Sequence, residues 1–262
     1  MLRNRRGLLS LVASLAIGFA LPGGVSAFHD WNGYHWARTS NPFTIQLGDN
    51  VSGPWDAMLA VASSDWSQAT SGNPVRTTVV SGKTKAKSCR PTSGRVEVCS
   101  ANYRNTGWLG VAQIWISGKH ITQGIVKNND YYFGNSSYTY NNTAEMQHVI
   151  CQEIGHTLGL DHQSEDGSSQ NTCMDYYHNV SASDLTSTHP NAHDYEELSS
   201  IYAHLDSTST VGSAPSSKGS SRGDEASSWG RLAAGSRASG ESVYELRLNA
   251  SERVITFVIW AN

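Results

Sequence analysis

The stretch Cys-Gln-Glu-Ile-Gly-His-Thr-Leu-Gly-Leu-Asp-His at positions 151–162 places a glutamine, a glutamate and two histidines at spacings that suit one metal ion. Gln152 and His156 are four positions apart, so on a helix they project from one face about 6 Å apart along the axis. Gly159 can adopt a left-handed conformation that ends the helix, which lets His162 approach the same point from another direction. The stretch therefore predicts a metal site formed by Gln152, His156 and His162.

Glu153 lies beside these candidate ligands, and its position predicts hydrolytic chemistry. A zinc ion held by three protein groups keeps one position for water and polarises a peptide carbonyl. Glu153 is then placed to accept the proton of that water as general base. Downstream, we expect Met174 to form an apolar floor under the metal. We expect the phenol of Tyr176 either to ligate zinc or to hydrogen-bond a tetrahedral intermediate.

These residues resemble the metzincin metallopeptidases, whose motif is His-Glu-x-x-His-x-x-Gly-x-x-His followed by a Met-containing turn. The positions that match are Glu153, His156, Gly159 and His162. Met174 and Tyr176 are similar to the Met-x-Tyr turn of astacins and serralysins, whereas the order of the other elements is closer to matrixins. The resemblance covers residues 36–205 and implies a metzincin-like zincin domain that acts as a secreted zinc endopeptidase on protein or peptide substrates.

Gln152 departs from the family because it stands where the family has its first zinc-binding histidine. A glutamine coordinates only through its neutral carbonyl oxygen, so we expect weaker zinc binding. His148 lies about 12 Å from His156 along a helix, too far to share one ion, and is expected at the surface or behind the ligands. No His/Asp cluster in the sequence matches the structural zinc site of the matrixins.

The resemblance also implies where a substrate would lie. In the family an edge strand aligns the substrate backbone, and the residues after the Met turn shape the pocket beyond the scissile bond. The corresponding segments of this chain are residues 110–116 and residues 176–179.

The order of predicted elements indicates an α/β or α+β domain with a mixed, twisted sheet, an active-site helix and a C-terminal helix. Strands are predicted at residues 43–47, 75–80, 95–99, 110–116 and 121–126. Helices are predicted from Pro54, over residues 143–158 and over residues 192–204, with a loop at residues 128–140.

Composition divides the chain into four parts. Residues 1–27 read as a signal peptide and residues 28–205 as the metallopeptidase domain, whereas residues 206–228 have the Ser/Gly-rich composition of a linker. Residues 229–262 regain apolar positions and predict a small β-hairpin extension, with strands at 242–248 and 253–260.

Export and charge limit the possible partners. Removal of residues 1–27 takes away three arginines and no acid, so the formal net charge moves from -3 to -6 and a nucleic-acid partner is not expected. The four cysteines of a secreted chain allow three pairings, of which we favour the local pairs Cys89 with Cys99 and Cys151 with Cys173. We expect a monomer with no membrane association after signal cleavage.

Two functions stay open at this point. The first is an extracellular zinc endopeptidase with Gln152, His156 and His162 as ligands, Glu153 as base and Tyr176 as auxiliary group. The second is a secreted, non-catalytic binding protein that keeps the fold and has lost useful metal affinity. The remaining histidines are individually uninformative, so surface or structural roles are expected for them.

Overall fold

The structure is a computed structural model that describes residues 29–212 and 223–261. The predicted signal peptide and part of the predicted linker lie outside the described residues. Across the described ranges, none of the helices combines the length and the apolar character needed to cross a membrane.

One mixed sheet of nine strands, counted over the described residues, forms the centre of the fold. Its strands are β1 His35–Trp36, β2 Phe43–Asn50, β3 Val75–Ser81, β4 Val96–Ala101, β5 Trp108–Ser117, β6 His120–Asn129, β7 Arg231–Ser236, β8 Glu241–Arg247 and β9 Glu252–Trp260. The order is β3-β2-β4-β6-β5-β9-β8-β7, with β1 paired to β6. The first four strands of this order are mutually parallel and the others antiparallel. An α+β fold with a mixed sheet is thus confirmed, while β1 and β7 were not predicted.

Four α-helices accompany the sheet in the described part of the chain. They are α1 Pro54–Trp66, α2 Asp130–Phe133, α3 Thr143–Thr157 and α4 Ala192–Ile201. Asn142 caps α3, because its side chain accepts a hydrogen bond from the backbone N–H of Glu145. The loop predicted at residues 128–140 is wrong in part, since β6 extends to Asn129, whose side chain caps the short helix α2.

Helix α3 is the most enclosed element of the domain. All of its residues from Ala144 to Thr157 are buried, because it lies against α1, β5 and β6. Trp66 of α1 donates from its ring N–H to the carbonyl of Cys151 at 3.0 Å. Both local disulfides predicted from the sequence, Cys89–Cys99 and Cys151–Cys173, are confirmed.

The C-terminal segment forms three strands, not the predicted two-stranded hairpin, and joins the main sheet. Strand β9 pairs with β5 from Trp108↔Trp260 to Ser117↔Glu252. Phe257 of β9 belongs to the main core, whereas Val258 belongs to a second cluster on the opposite face. A strand that is apolar on both faces belongs in the interior of a sheet. The prediction that residues 110–116 form an edge strand is therefore wrong.

The start of the predicted linker is held against the domain. The backbone N–H of Thr210 donates to the carbonyl of Ala37, and that of Gly212 donates to Gly94, both at 2.9 Å. Residues 206–212 therefore continue the ordered domain beyond its predicted end at residue 205.

Candidate metal centre

The predicted metal-binding stretch has the backbone that its sequence indicated. Gln152, Glu153 and His156 lie on α3, and Gly159 follows with a φ of 104°. A Cβ atom at Gly159 would lie 2.4 Å from the carbonyl oxygen of Tyr34, so the position requires glycine for space as well as for conformation. The left-handed glycine reverses the chain and brings His162 back toward the helix.

His156 and His162 face each other in an edge-to-face arrangement with 4.5 Å between ring centroids. Nδ1 of His156 lies 3.0 Å from the carbonyl oxygen of Leu160. Because a carbonyl only accepts, Nδ1 carries the proton and Nε2 keeps a free lone pair. Metal-ligating histidines have this arrangement, in which the second ring nitrogen is fixed by a backbone carbonyl.

Glu241, the first residue of β8, is the site residue that sequence reasoning missed. Its carboxylate contacts Nε2 of His162, and the donor atoms of His156, His162 and Glu241 all lie within 4.8 Å of one another. Gln152 donates from Nε2 to Oε1 of Glu241 at 3.2 Å and to the carbonyl of Asp175 at 3.0 Å. We call the group of Gln152, Glu153, His156, His162 and Glu241 the motif site.

The segment after the motif passes beside the site as expected. Backbone hydrogen bonds from the N–H groups of Gln163 and Tyr176 join the segment after His162 to the segment around Met174. Met174 is buried against α3, where a Cβ atom at Gly155 would lie 2.5 Å from its sulfur. The ring of Tyr176 stands edge-on to His162 at 4.5 Å between centroids.

Buried polar atoms without hydrogen-bond partners are concentrated in this region. Among the described residues they include Gln152 Oε1, both carboxylate oxygens of Glu153, His156 Nε2 and Tyr176 Oη, beside the contact between Glu241 and Nε2 of His162. Leaving such atoms unsatisfied costs about 1–3 kcal/mol each, so their convergence calls for a ligand. Imidazole nitrogens and a carboxylate oxygen are the donors that zinc takes in proteins, and the site therefore fits this metal.

The protonation states depend on burial. Burial, together with the nearby Glu241 carboxylate, raises the pKa of Glu153 well above its usual range. Burial and the neighbouring His162 hold the pKa of His156 well below its usual value. Burial also lowers the pKa of His162, but the carboxylates of Glu241 and Asp161 outweigh it and raise that pKa to about 10. A metal that binds His162 must therefore displace a proton.

Strand β9 covers the motif site. The ring of Phe257 stacks on His156 with 4.1 Å between centroids and an interplanar angle of 6°. Gln152, Glu153, His156 and Glu241 are each at most 1% exposed. A peptide substrate therefore has no direct access to the donor atoms.

His148 lies outside the motif site. Its side chain is fully buried, with Nδ1 3.6 Å from Oε2 of Glu145, so of the two expected positions, at the surface or behind the ligands, the surface position is wrong. Its ring instead supports α3 through the carboxylate of Glu145.

Comparison with solved structures shows distant structural likeness. The solved structures that match include the structure of myroilysin, with 12% identity, a TM-score of 0.34 and coverage of 64% of this chain and 96% of that chain. Neither a protein-family model nor a curated protein matches the chain. Function is therefore inferred from the geometry of the motif site.

Proposed function

We propose that the chain is a zinc-dependent endopeptidase whose motif site is closed by its own C-terminal strands. The observation that carries this proposal is the convergence of buried donor atoms from His156, His162 and Glu241 within 4.8 Å, with Nε2 of His156 left without a hydrogen-bond partner. Buried polar atoms in proteins nearly always have a partner, and a cation among these atoms would supply one.

His156, His162 and Glu241 would hold the zinc, with the carbonyl oxygen of Gln152 as a further donor. Zinc would supply polarisation of the peptide carbonyl and a lowered pKa of bound water. Glu153 would accept the proton of the attacking water and pass it to the leaving amine. The hydroxyl of Tyr176, which has no partner among the described residues, would donate a hydrogen bond to the developing oxyanion.

Activity requires the C-terminal strands to leave the site. The hydrogen-bonding edge of β5 that an extended substrate would use is already paired with β9. Glu241 also completes a set of four donors, which is typical of structural zinc, whereas hydrolytic zinc keeps an open position. Withdrawal of β8 would remove Glu241 and leave Gln152, His156 and His162 with room for water.

A second candidate function is favoured by the same closure. If the C-terminal strands never leave, the zinc with Glu241 is structural and the chain is a non-catalytic binding protein. The two functions differ in what happens when the connection to residues 223–261 is cut.

A chain that can be cut at this connection distinguishes the two candidate functions. A recognition sequence for a site-specific protease is inserted within residues 213–222, and the chain is cut there after folding. A short linker holds its segment at an effective concentration on the order of millimolar, so cutting makes release of the C-terminal strands sensitive to dilution. We expect the intact chain to be inactive on peptides and the cut chain to gain activity on dilution.

Two controls make the result specific. Glu153→Gln in the cut chain is expected to lose about 100-fold or more in activity while it keeps its zinc content. A synthetic peptide of residues 223–261 is expected to restore inhibition when it is added back. Equal cleavage by the cut native chain and the cut Glu153→Gln chain would exclude peptidase activity, and zinc binding without cleavage in the cut chain would favour the binding protein.

A further inference from the structure

A second group of histidines, remote from the motif in sequence, converges on one carboxylate oxygen. His35 lies in β1, His120 opens β6, and His204 and Asp206 follow α4. No spacing in the sequence groups these residues, and the sequence predicts only surface or structural roles for the three histidines. We call these four residues the three-histidine site.

The spacing of the donor atoms in this site is that of a metal coordination shell. Oδ1 of Asp206 lies 3.4, 3.2 and 3.8 Å from the Nε2 atoms of His35, His120 and His204 respectively. The Nε2 atoms of His35 and His204 are 3.1 Å apart. Donors bound to tetrahedral zinc at about 2.0 Å are about 3.3 Å from one another. The distances of His35 and His120 from Asp206 agree with this value, and the donor atoms of these three residues all lie within 4.8 Å of one another, with His204 beside them.

The orientation of His35 directs one ring nitrogen at the other donor atoms. Nδ1 of His35 lies 2.8 Å from the carbonyl oxygen of Gly33, so Nδ1 is the donor of that hydrogen bond. Nε2 then faces an oxygen of Asp206 and the Nε2 atom of His204. A single proton satisfies one such contact, whereas one cation among the four atoms satisfies all of them.

Asp206 is oriented by a separate set of contacts. Its Oδ2 accepts hydrogen bonds from the guanidinium of Arg38 at 3.0 Å and from the backbone N–H of Arg38 at 3.2 Å. These bonds hold Oδ2 away from the histidines and direct Oδ1 toward them. Partners of this kind, outside the ligand shell, fix the orientation of metal ligands.

We propose that His35, His120, His204 and Asp206 bind a second zinc ion, which has a structural role. Three imidazoles and one carboxylate select zinc over calcium or magnesium, which prefer oxygen donors. The side chain of His204 is 53% exposed, which gives the ion a path from solvent. Four protein donors leave no position for water, so this zinc ties β1 and the β5–β6 turn to the chain that leaves α4.

The test is the zinc content of the full chain and of single variants, measured by elemental analysis after removal of free metal. His120→Ala and His35→Ala are each expected to hold about one equivalent of zinc less than the native chain. His189→Ala is the matched control, because His189 pairs with Asp65 at 2.7 Å and belongs to neither site. It is expected to keep the native zinc content.

Other variants keep the result independent of the motif site. His156→Ala with His162→Ala is expected to retain about one equivalent, which His120→Ala then removes. Cobalt in the remaining site is expected to show the absorption of a tetrahedral ion. If His35→Ala does not fold, the turn variant His120→Ala still decides the question. Zinc content in His120→Ala equal to that in His189→Ala would overturn the proposal.

Discussion

The motif site and the three-histidine site use similar donors but are built in opposite ways. The motif site takes four of its five residues from the stretch 152–162 and lies under β9, with His156 at 1% exposure. The three-histidine site takes its residues from three distant segments and is open at His204. Donor chemistry alone therefore does not set function, because access and the number of available donors decide whether a bound ion meets substrate.

Removal of Phe257, the ring that covers the motif site, is expected to cause the largest loss of stability. Phe257→Ala deletes a fully buried ring stacked on His156 and leaves a cavity, so we expect the free energy of unfolding to fall by about 3–5 kcal/mol. Urea unfolding of the zinc-loaded chain measures this loss. Phe257→Leu, which refills most of the volume, is expected to lose much less.

The same variant sharpens the comparison of the two sites. Phe257→Ala should expose the motif site to chelators and leave the zinc of the three-histidine site in place. If the motif site released zinc to a chelator at the same rate in Phe257→Ala as in the native chain, β9 would not control access to it.

The second effect concerns the buried ion pair that supports the motif site. Glu145 of α3 accepts a backbone hydrogen bond from Asn179 at 2.6 Å, and its other oxygen lies 2.6 Å from Nδ1 of His178. Burial raises the pKa of Glu145, but His178 and His148 outweigh it and lower that pKa to about 2. A depressed pKa means that the ionised form stabilises the fold above about pH 4.5 and that this stability is lost as the pH falls toward 2.

We therefore expect Glu145→Gln to destabilise the chain by about 2 kcal/mol at pH 6 and to flatten the loss of stability between pH 4.5 and 2. Unfolding measured in urea at several pH values checks both. Glu196→Gln removes an exposed carboxylate that also lies near a histidine and is the matched control. An acid profile of Glu145→Gln identical to that of the native chain would show that this pair does not hold the segment after the Met turn.

The sequence predicted the elements that depend on local pattern. The cap at Asn142, the helix that carries His156 and the left-handed Gly159 follow from residues within a few positions of one another, and all three are found. Alternating apolar residues likewise predicted most strands. Local chemistry is sufficient where a side chain satisfies its own or a neighbouring backbone group.

The remainder depends on contacts between distant segments. Glu241 meets Gln152 across 89 positions, and His35 meets Asp206 across 171. In the sequence, neither Glu241 nor Asp206 stands in a pattern that distinguishes it from a surface residue. The apolar residues of β9 indicated a strand, but only the paired sheet shows that this strand lies on β5 and closes the motif site.

The third effect tests the glutamine that sets the motif site apart. Gln152→His replaces a neutral oxygen donor with an imidazole, so we expect zinc at the motif site to bind at least about tenfold more tightly, about 1.4 kcal/mol. Competition with a chromophoric chelator measures the affinity. Gln147→His places the same ring on the same helix outside the motif site and should leave the affinity unchanged. Unchanged affinity in Gln152→His would mean that Gln152 is not a ligand.

The smallest effect concerns charge at the junction between the C-terminal strands and the domain. Arg253 of β9 lies 3.6 Å from Oε1 of Glu245 and donates to the hydroxyl of Tyr34 at 3.1 Å. Both side chains of the ion pair contact solvent, so Arg253→Gln is expected to cost less than about 1 kcal/mol. The Debye length falls to about 3 Å in 1 M salt, so the difference in stability between the variant and the native chain should then shrink. Hydrogen exchange of the β9 amides measures it.

Loss of β9 protection in Arg253→Gln at low salt, and a matching loss in the native chain at high salt, would indicate an electrostatic latch. We expect instead that protection persists in both, because backbone pairing with β5 and the burial of Phe257 hold the strand. Closure of the motif site would then be set by apolar packing. Zinc binding at the three-histidine site, in contrast, would depend on the charge of Asp206, which Arg38 contacts.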